Sequence, residues 1–257
     1  MTYRELKPGK PLQAYVKCYY IYESVSSVTF DDLVFPSGNT EVIFNLGSGS
    51  WQTRPGDQFV TTPPVELWGQ LVTPLPVRSI GCNTMLGVRF YPHGAVAILH
   101  DKIDQFNNQV IDATDVLGNV TRSLHTQLLN TPDWQQRIEL LEAFLIQQLT
   151  TAEKKLPKIA MIYDMMNELQ QTPYLSMETI AGRYGISARY MQQLFVHHTG
   201  LTPKLYSQIT RFQKSLQLVT ANEMSLTAVA YECGYADQSH FIREFKSFTG
   251  STPSALV

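Results

Sequence analysis

Apolar positions near the carboxyl terminus recur with the period of α-helices, and the same pattern is present twice. In the first copy, Met191, Leu194 and Phe195 fall at the i, i+3 and i+4 positions of one helix face. In the second copy, the corresponding face is aromatic and consists of Phe241, Phe245 and Phe248. Each apolar face predicts a helix that packs against a core and leaves its opposite side to solvent.

The spacing between the two copies is nearly constant over residues 177–257. Gly185 recurs 49 positions later as Gly234, and Pro203 recurs 50 positions later as Pro253. A repeat with a single inserted residue indicates one structural unit used twice. In each copy a glycine separates two short helical segments, as a left-handed turn requires. The pattern therefore predicts two helix-turn-helix units, in which the second helix enters the major groove of DNA.

The polar faces of the two second helices carry chemistry suited to DNA. Ser187 and Asp237 are the predicted N-caps of these helices. Arginine can pair in bidentate fashion with guanine, glutamine with adenine, and serine with several base edges. The candidate base-reading residues are Arg189, Gln192, Gln193, Gln238, Ser239 and Arg243. One copy alone would fit an ordinary helical bundle with a polar solvent face, whereas two copies favour DNA binding.

A connecting helix is predicted between the two units. Pro203 can open it, and an apolar stripe then follows at 4-3-4-3 spacing. The stripe consists of Leu205, Ile209, Phe212, Leu216 and Val219. A helix of about 17 residues spans roughly 25 Å. That length can hold two recognition helices in successive major grooves, which lie about 34 Å apart.

Three motifs carry a family resemblance, at residues 189–195, 199–203 and 234–246. Together they resemble the AraC/XylS family of bacterial transcription regulators over residues 156–257. The resemblance implies an all-α domain of seven helices with two helix-turn-helix units. It implies that Arg189, Gln192 and Gln193 read bases in one groove and that Gln238, Ser239 and Arg243 read bases in the next. Expected phosphate contacts are Ser187, Thr202, Lys204, His240 and Lys246.

The charge of this region departs from the family pattern. Family members often carry lysines just after the first recognition helix, where this chain has His197 and His198. Residues 156–257 contain eight Lys/Arg and seven Asp/Glu, a net charge of +1. Such a small excess of positive charge predicts modest non-specific affinity for DNA.

The pattern of residue types in 1–155 predicts a separate β-rich domain. Runs of β-branched and aromatic residues at 15–22, 40–46, 77–82 and 86–91 are separated by glycine- and proline-containing turns. An antiparallel sandwich or small barrel fits this pattern. The resemblance implies a cupin-like barrel that binds an effector. The whole chain is thus expected to be an α+β protein of two domains, residues 1–155 and 156–257.

A helix is predicted at the end of the first domain. Trp134, Ile138, Leu141 and Leu145 recur at 4-3-4 spacing after the candidate N-cap Asp133. The stripe fits either a helix packed on its own barrel or the seam of a homodimer. The family resemblance favours a homodimer through residues 133–149. The polar segment 150–155 is the predicted linker to the second domain.

The first domain offers aromatic residues for a ligand pocket but no catalytic set. Phe44, Trp51, Trp68, Arg89 and Tyr91 are residue types that line small-ligand sites, with Arg89 as a charged anchor. The alternative is that these aromatic residues belong to the core and that Arg89 is a satisfied surface charge. The sequence lacks a Ser/His/Asp set, metal-binding histidine spacing and a glycine-rich phosphate loop. We therefore expect neither an enzyme nor a cofactor or metal site.

Composition describes an ordinary globular protein. The 257-residue chain is 44% hydrophobic with a net charge of -2, and it has neither a signal-peptide run nor a membrane-length apolar stretch. Three scattered cysteines, Cys18, Cys82 and Cys233, are expected to be buried reduced thiols in a cytoplasmic protein.

These patterns lead to a functional hypothesis. The chain is expected to be a cytoplasmic transcription regulator, acting as an activator or a repressor, that binds double-stranded DNA and is controlled by a small effector. RNA polymerase is a candidate partner. The alternative is a DNA repair or modifying enzyme with an appended helix-turn-helix domain, which would need a nucleophilic cysteine such as Cys233. A sugar-binding barrel without DNA activity would leave the repeat unexplained.

Overall fold

Two antiparallel sheets form the amino-terminal domain. The computed structural model describes residues 1–25, 29–99, 103–151, 156–171 and 175–256. The strands are β1 (Thr2–Leu6), β2 (Val16–Ser24), β3 (Phe30–Val34), β4 (Glu41–Asn45), β5 (Ser50–Thr53), β6 (Val60–Thr61), β7 (Val65–Trp68), β8 (Leu75–Ile80), β9 (Asn83–Phe90) and β10 (Val110–Asp112). One sheet has the order β1-β2-β9-β4-β7-β10 and the other β3-β8-β5-β6. The predicted antiparallel sandwich is confirmed, whereas its relation to cupins stays a prediction.

Side chains of the larger sheet alternate between two apolar layers, as the period of a strand requires. Phe44 and Leu86 lie in the core that faces the helices. Their strand neighbours Ile43 and Met85 lie in the layer between the two sheets. Tyr20 also lies between the sheets, opposite Gly87 in the β2–β9 pairing. A Cβ at Gly87 would come within 2.0 Å of the Tyr20 ring, so glycine is required there for the ring to lie flat on the sheet.

The described part of the chain contains ten α-helices, and all but α1 follow the last strand of the sandwich. They are α1 (Ala95–Leu99), α2 (Thr114–Leu117), α3 (Asn119–Asn130), α4 (Trp134–Thr151), α5 (Leu156–Gln171), α6 (Met177–Arg183), α7 (Ala188–Thr199), α8 (Pro203–Ala221), α9 (Leu226–Glu232) and α10 (Gln238–Thr249). None of them has the length and apolar character needed to cross a lipid bilayer. Residues 152–155 of the predicted linker lie outside the described residues.

The apolar stripe of α4 is used inside the chain. Leu141, Phe144 and Leu145 are buried in the core between the larger sheet and the helices, and Trp134 and Ile138 pack against the same core. This is the arrangement expected of a helix packed on its own barrel. The residues predicted to form a dimer seam are therefore already covered, and a homodimer through 133–149 stays a prediction.

The carboxyl-terminal domain contains the two predicted helix-turn-helix units, α6–α7 and α9–α10. Gly185 and Gly234 adopt φ angles of 66° and 74° at the two turns, a left-handed conformation that strongly favours glycine. The predicted N-caps are confirmed, because Ser187 Oγ accepts a hydrogen bond from Tyr190 N and Asp237 Oδ1 accepts one from His240 N. The seventh helix that the family resemblance implies is a short 3-10 turn, Pro253–Ala255.

The connecting helix α8 is 19 residues long and its buried face differs from the predicted stripe. Ile209, Phe212 and Val219 are buried as expected. Leu205 and Leu216 are only half-buried, and Tyr206 and Ser215 take the fully enclosed positions instead. The buried face is shifted because α8 is packed on several sides, by α5, α9 and α10.

Among the described residues, the two domains touch at several places, and two of these contacts include a hydrogen bond. At the first, the 3-10 turn Ile103–Phe106 packs against α7, and Asn107 Nδ2 donates a 2.7 Å hydrogen bond to Gly200 O at the end of α7. At the second, Gln213 Nε2 on α8 donates a 2.5 Å hydrogen bond to Pro36 O. Phe35 meets Phe212 edge-on there, with ring centroids 6.5 Å apart. Both contacts therefore connect the sandwich to elements of the helix-turn-helix domain.

His93 lies on the seam between the domains and is 2% exposed. Its ring stacks on Tyr91 at 5.7 Å and meets Tyr163 of α5 at 4.9 Å. Its Nε2 lies 2.9 Å from Ala14 O, whereas Nδ1 is buried without a hydrogen-bond partner among the described residues. Burial lowers the pKa of His93 below its ordinary value, because the charged ring would lose its hydration.

We expect His93 to make the protein less stable in acid. The folded protein holds this ring neutral, whereas the unfolded chain takes up a proton near the ordinary histidine pKa of about 6.5. The stability associated with His93 is therefore fully present above about pH 6.5 and is lost as the pH falls below it. Thermal unfolding should show a larger drop in Tm between about pH 7.5 and about pH 5.5 for the native protein than for His93→Gln. Equal drops in the two proteins would contradict this assignment.

Candidate nucleic-acid interface and ligand pocket

The predicted base-reading side chains of α7 lie on its solvent side. Arg189, Gln192 and Gln193 are exposed, while Met191 and Leu194 on the opposite face are buried. This separation follows from the helical period, which places residues three and four apart on one face. The geometry leaves these three side chains available to a groove.

The α10 side chains are presented in the same way. Gln238, Ser239 and Arg243 are exposed, whereas Phe241 and Phe245 fill the core. Gln238 is partly engaged, since its Oε1 accepts a 2.9 Å hydrogen bond from Thr227 Oγ1 on α9. That contact orients the amide at the start of α10.

The predicted phosphate contacts lie at helix starts and on exposed faces. Ser187 and Thr202 each cap a helix through the side-chain oxygen, so their hydroxyl hydrogens stay available to donate. Lys204 and Lys246 are exposed. His240 is half-buried, with its Nε2 3.9 Å from Glu244 Oε2. Their contacts with phosphate stay predictions.

The few basic residues of the domain are distributed unevenly. Arg183, Arg211 and Lys214 form ion pairs with Glu168, Glu244 and Glu232. The other five Lys/Arg residues form no ion pair among the described residues; one is Lys158 of α5, and the other four were predicted to contact DNA. They are Arg189, Lys204, Arg243 and Lys246. The net charge of +1 thus understates the positive charge on the candidate DNA face.

The most buried ion pair among the described residues of this domain was not predicted from the sequence. Arg211 on α8 binds Glu244 on α10 in bidentate fashion, with Nη2–Oε2 and Nε–Oε1 distances of 2.6 and 3.0 Å. Gln208 adds a third donor to Glu244, at 3.2 Å. The Glu244 side chain is only 5% exposed. The pair therefore fixes the second recognition helix on the connecting helix.

We expect Glu244→Ala to lower the free energy of unfolding by about 2 to 3 kcal/mol, because it leaves the Arg211 charge without its partner. The value lies at the low end of the range for buried pairs because the Arg211 side chain is still 27% exposed. Glu232→Ala is the matched control, since it removes the exposed partner of Lys214 and should change stability little. Urea denaturation of both variants measures the difference. Similar losses in the two variants would show that burial of Glu244 is unimportant.

A cleft separates the base-reading face of α7 from the amino-terminal domain. Its volume is about 460 Å³, and it is lined by Arg189, Gln192 and Gln193 on one side and by Asp104 on the other. A carboxylate at this place would repel DNA phosphates that approach α7. In the arrangement described, Asp104 of the first domain therefore lies opposite the candidate base-reading face of α7.

The amino-terminal domain contains a cavity of about 200 Å³ between its two sheets. Three of the predicted pocket residues, Trp51, Trp68 and Arg89, line it. Two predictions were wrong. Phe44 is completely buried in the helix-side core, because it lies on the opposite face of β4 from Glu41 and Ile43. Tyr91 follows the end of β9 and lies beside His93 in a second cleft, between the sandwich and α5.

Arg89 is not a free anchor. Its Nε donates a 2.7 Å hydrogen bond to Glu41 Oε1, and its Nη1 lies 3.0 Å from Glu5 Oε1. The second oxygen of Glu41 accepts a 2.7 Å hydrogen bond from Tyr20 Oη. Burial and the nearby Glu41 carboxylate raise the pKa of Tyr20 well above its ordinary value, so this phenol stays protonated. Arg89 is thus a satisfied charge, as the alternative held, but it lies in the cavity wall and not on the surface.

Glu66 orients Trp68, which lines the cavity. Its buried carboxylate accepts hydrogen bonds from Trp68 Nε1, Asn45 Nδ2 and Thr62 Oγ1, at 2.5, 2.7 and 2.6 Å. Burial raises the pKa of Glu66, although these hydrogen bonds oppose the shift. The Trp68 indole is consequently held in one orientation before any ligand arrives.

The cysteines differ in exposure. Cys18 is buried, Cys233 is half-buried and Cys82 is exposed, so the expectation of three buried thiols was wrong for Cys82. Burial raises the pKa of the Cys233 thiol, which disfavours the reactive thiolate.

The folded units define the class of protein: a double helix-turn-helix domain attached to a β-sandwich that contains a cavity of the size of a small ligand. Residues 180–257 match the family model described as a helix-turn-helix domain, and residues 4–112 match a domain of unknown function (DUF6597). The HTH-type transcriptional activator RhaS of Escherichia fergusonii is 37% identical over 82 residues, which are 32% of this chain and 30% of that protein. RhaS of an Enterobacter species is 36% identical over 72 residues, 28% of this chain and 26% of the relative. The carboxyl-terminal domain is therefore a helix-turn-helix domain of the AraC/XylS type, which confirms the resemblance for residues 180–257.

The matched segment spans less than a third of these curated relatives. Solved structures of ToxT from Vibrio cholerae cover more of the chain. Its P21 crystal form aligns with a TM-score of 0.48 and 14% identity over 92% of this chain and 96% of that chain. ToxT with a bound unsaturated fatty acid gives a TM-score of 0.44 and 16% identity over 91% and 92% of the two chains.

Proposed function

We propose that the chain is a sequence-specific DNA-binding transcription regulator that works on cytoplasmic DNA and is controlled by a small effector in the amino-terminal domain. One observation carries the proposal: two helix-turn-helix units present exposed arginine and glutamine side chains and are joined by the single helix α8. At 1.5 Å per residue, α8 is about 28 Å long. This length suits recognition helices in successive major grooves, about 34 Å apart.

The connection between the ligand cavity and α8 supports control by an effector. Ser37, Asn39 and Leu71 line the cavity. The adjoining residues Phe35 and Pro36 contact α8, as described above. The two loops that bear these residues are tied together, since Gln70 Nε2 donates a 3.0 Å hydrogen bond to Gly38 O. A ligand that shifts either loop therefore changes how the sandwich holds the connecting helix.

A direct consequence concerns the first recognition helix. The same domain places Asp104 opposite Arg189 and Gln192 on α7. Movement of the sandwich relative to α8 would change this distance and thus the access of DNA to α7. The effector would then act on affinity for one groove more than for the other.

Selection of bound sites from a random DNA pool by the full chain tests the proposal. We expect two short conserved blocks, about one helical turn or 10 base pairs apart. A doubled version of that pattern would indicate a homodimer. That dimer would have to use the exposed face of α4, because its apolar stripe is covered. Failure to enrich any sequence, with and without metabolite extract, would overturn the assignment.

The family points to a regulator rather than an enzyme. An alkyl-transfer enzyme would need an accessible thiolate, and the raised pKa of Cys233 counts against that residue. Label transfer from alkylated DNA to a cysteine would favour the enzyme instead. RNA polymerase, as the partner of an activator, stays a proposal that rests on the family alone.

A further inference from the structure

We propose that the cavity between the sheets binds an organic cation, namely an amine or quaternary ammonium group carried on a small apolar body. The inference deepens the effector role proposed above and rests on it. It is carried by the combination of aromatic walls, a half-buried carboxylate and the absence of an uncommitted cation among the residues that line the cavity.

The walls of the cavity are unusually rich in aromatic rings. They include Tyr3, Tyr20, Tyr22, Trp51 and Trp68. The faces of such rings carry negative partial charge and attract ammonium groups, and aromatic cages are a recurrent solution for quaternary ammonium ligands. The cluster already accommodates one cation of the chain, since the Arg89 guanidinium lies 5.1 Å from the centre of the Tyr20 ring.

The charges around the cavity disfavour an anionic ligand. Arg89 is the single basic residue among those lining the cavity, and it is already shared between the carboxylates of Glu41 and Glu5. These three groups together carry a net negative charge. A ligand carboxylate would have to share Arg89 with the carboxylates of Glu41 and Glu5 and would be repelled by both of them.

Glu41 supplies the attraction for a cation. Its side chain is 17% exposed and lies in the cavity wall. The described residues give it two donors, Tyr20 Oη and Arg89 Nε. A carboxylate has about four acceptor positions, so Glu41 retains capacity for an ammonium N–H or for the diffuse charge of a quaternary group. The fixed Trp68 ring reduces the cost of ordering the site on binding.

Three probes of matched shape separate the ligand classes. They are choline, its neutral isostere 3,3-dimethyl-1-butanol, and the carboxylate 3,3-dimethylbutanoate. Two of the three tryptophans, Trp51 and Trp68, line the cavity, so quenching of tryptophan fluorescence in the full chain reports on binding. We expect choline to have a Kd about tenfold lower than that of the alcohol. The carboxylate should bind more weakly than both.

Two variants locate the effect. Glu41→Gln removes the charge and keeps the shape of the side chain, so it should reduce the preference for choline over the alcohol to less than about threefold. Trp51→Leu retains every charge and should also lower the preference, which keeps the proposal testable if the first variant folds poorly. Glu139→Gln on α4 is the matched control; it makes the same chemical change at a residue outside the cavity wall and should retain the native preference.

Each other outcome overturns the inference. Preference for the carboxylate would make Arg89 the anchor, and equal binding of the three probes would define a neutral apolar pocket. Lack of measurable choline binding by the folded chain would also contradict it. Because these titrations contain no DNA, their outcome is independent of the site selection that tests the proposed function. A chain that selects DNA sites but rejects choline is a regulator with a different effector.

Discussion

Replacing Phe212 with alanine is expected to destabilise the carboxyl-terminal domain by about 3 to 5 kcal/mol. The Phe212 side chain is completely buried at the middle of α8. Its ring packs against Phe245 and Phe248 of α10, at 5.5 and 5.0 Å between centroids. The substitution removes the transfer free energy of a large ring and leaves a cavity that neighbouring aromatic rings fill only in part. A loss of this size is a large fraction of the total stability of a domain, about 5 to 15 kcal/mol.

Urea denaturation can resolve the effect by domain. All three tryptophans, Trp51, Trp68 and Trp134, precede residue 156, so their fluorescence reports on the sandwich and its helices. Helical circular dichroism is dominated by the rest of the chain. We expect the circular-dichroism midpoint to fall with an unchanged m-value. Phe212→Leu is the control and should cost less than about 1.5 kcal/mol, because it retains most of the apolar volume.

The fluorescence midpoint in the same variant adds information about the domain contact. Phe212 also meets Phe35 of the sandwich, so part of the loss should reach the first domain. If the circular-dichroism midpoint of Phe212→Ala equals that of the native protein, Phe212 is not the centre of the domain. The argument for α8 as the element joining the two units would then fail.

The helical repeat was predictable because its determinants are local. N-caps, left-handed glycines and apolar faces lie within a few residues of one another, and each has a distinct chemical requirement. Ser187, Asp237 and Gly185 are accordingly found as expected. The Arg211–Glu244 pair escaped prediction because its members are 33 residues apart on different helices.

The cavity depends on strand pairings that single runs of sequence do not reveal. Glu41 and Arg89 are partners in the β4–β9 register, and Glu5 and Tyr20 are partners in the β1–β2 register. Alternation along β4 shows that Phe44 and Glu41 lie on opposite faces, but it does not show which face is the cavity. The predicted set of four aromatic residues and Arg89 therefore included Phe44 and missed Tyr20 and Glu41. Likewise, the stripe of α4 gave no sign of whether its partner was the same chain or another copy.

Replacing both Arg189 and Arg243 with alanine is expected to abolish most sequence selectivity. Each arginine that pairs with a guanine contributes about 1–3 kcal/mol to discrimination. The two residues belong to separate helix-turn-helix units, so we expect their losses to add to about 2–6 kcal/mol on the selected site. This corresponds to roughly a 30-fold to more than 10,000-fold increase in Kd.

The two single variants assign the grooves. In a repeated site selection, Arg189→Ala should reduce the sequence conservation of one of the two blocks. Arg243→Ala should reduce that of the other. Lys204→Ala is the matched control, because loss of a phosphate contact weakens all sequences alike and reduces the salt dependence by about one unit of slope. If Arg189→Ala and Arg243→Ala weaken random DNA as much as the selected site, both residues contact phosphates. Bases would then have to be read by Gln192, Gln193 and Gln238, whose amides can pair with adenine.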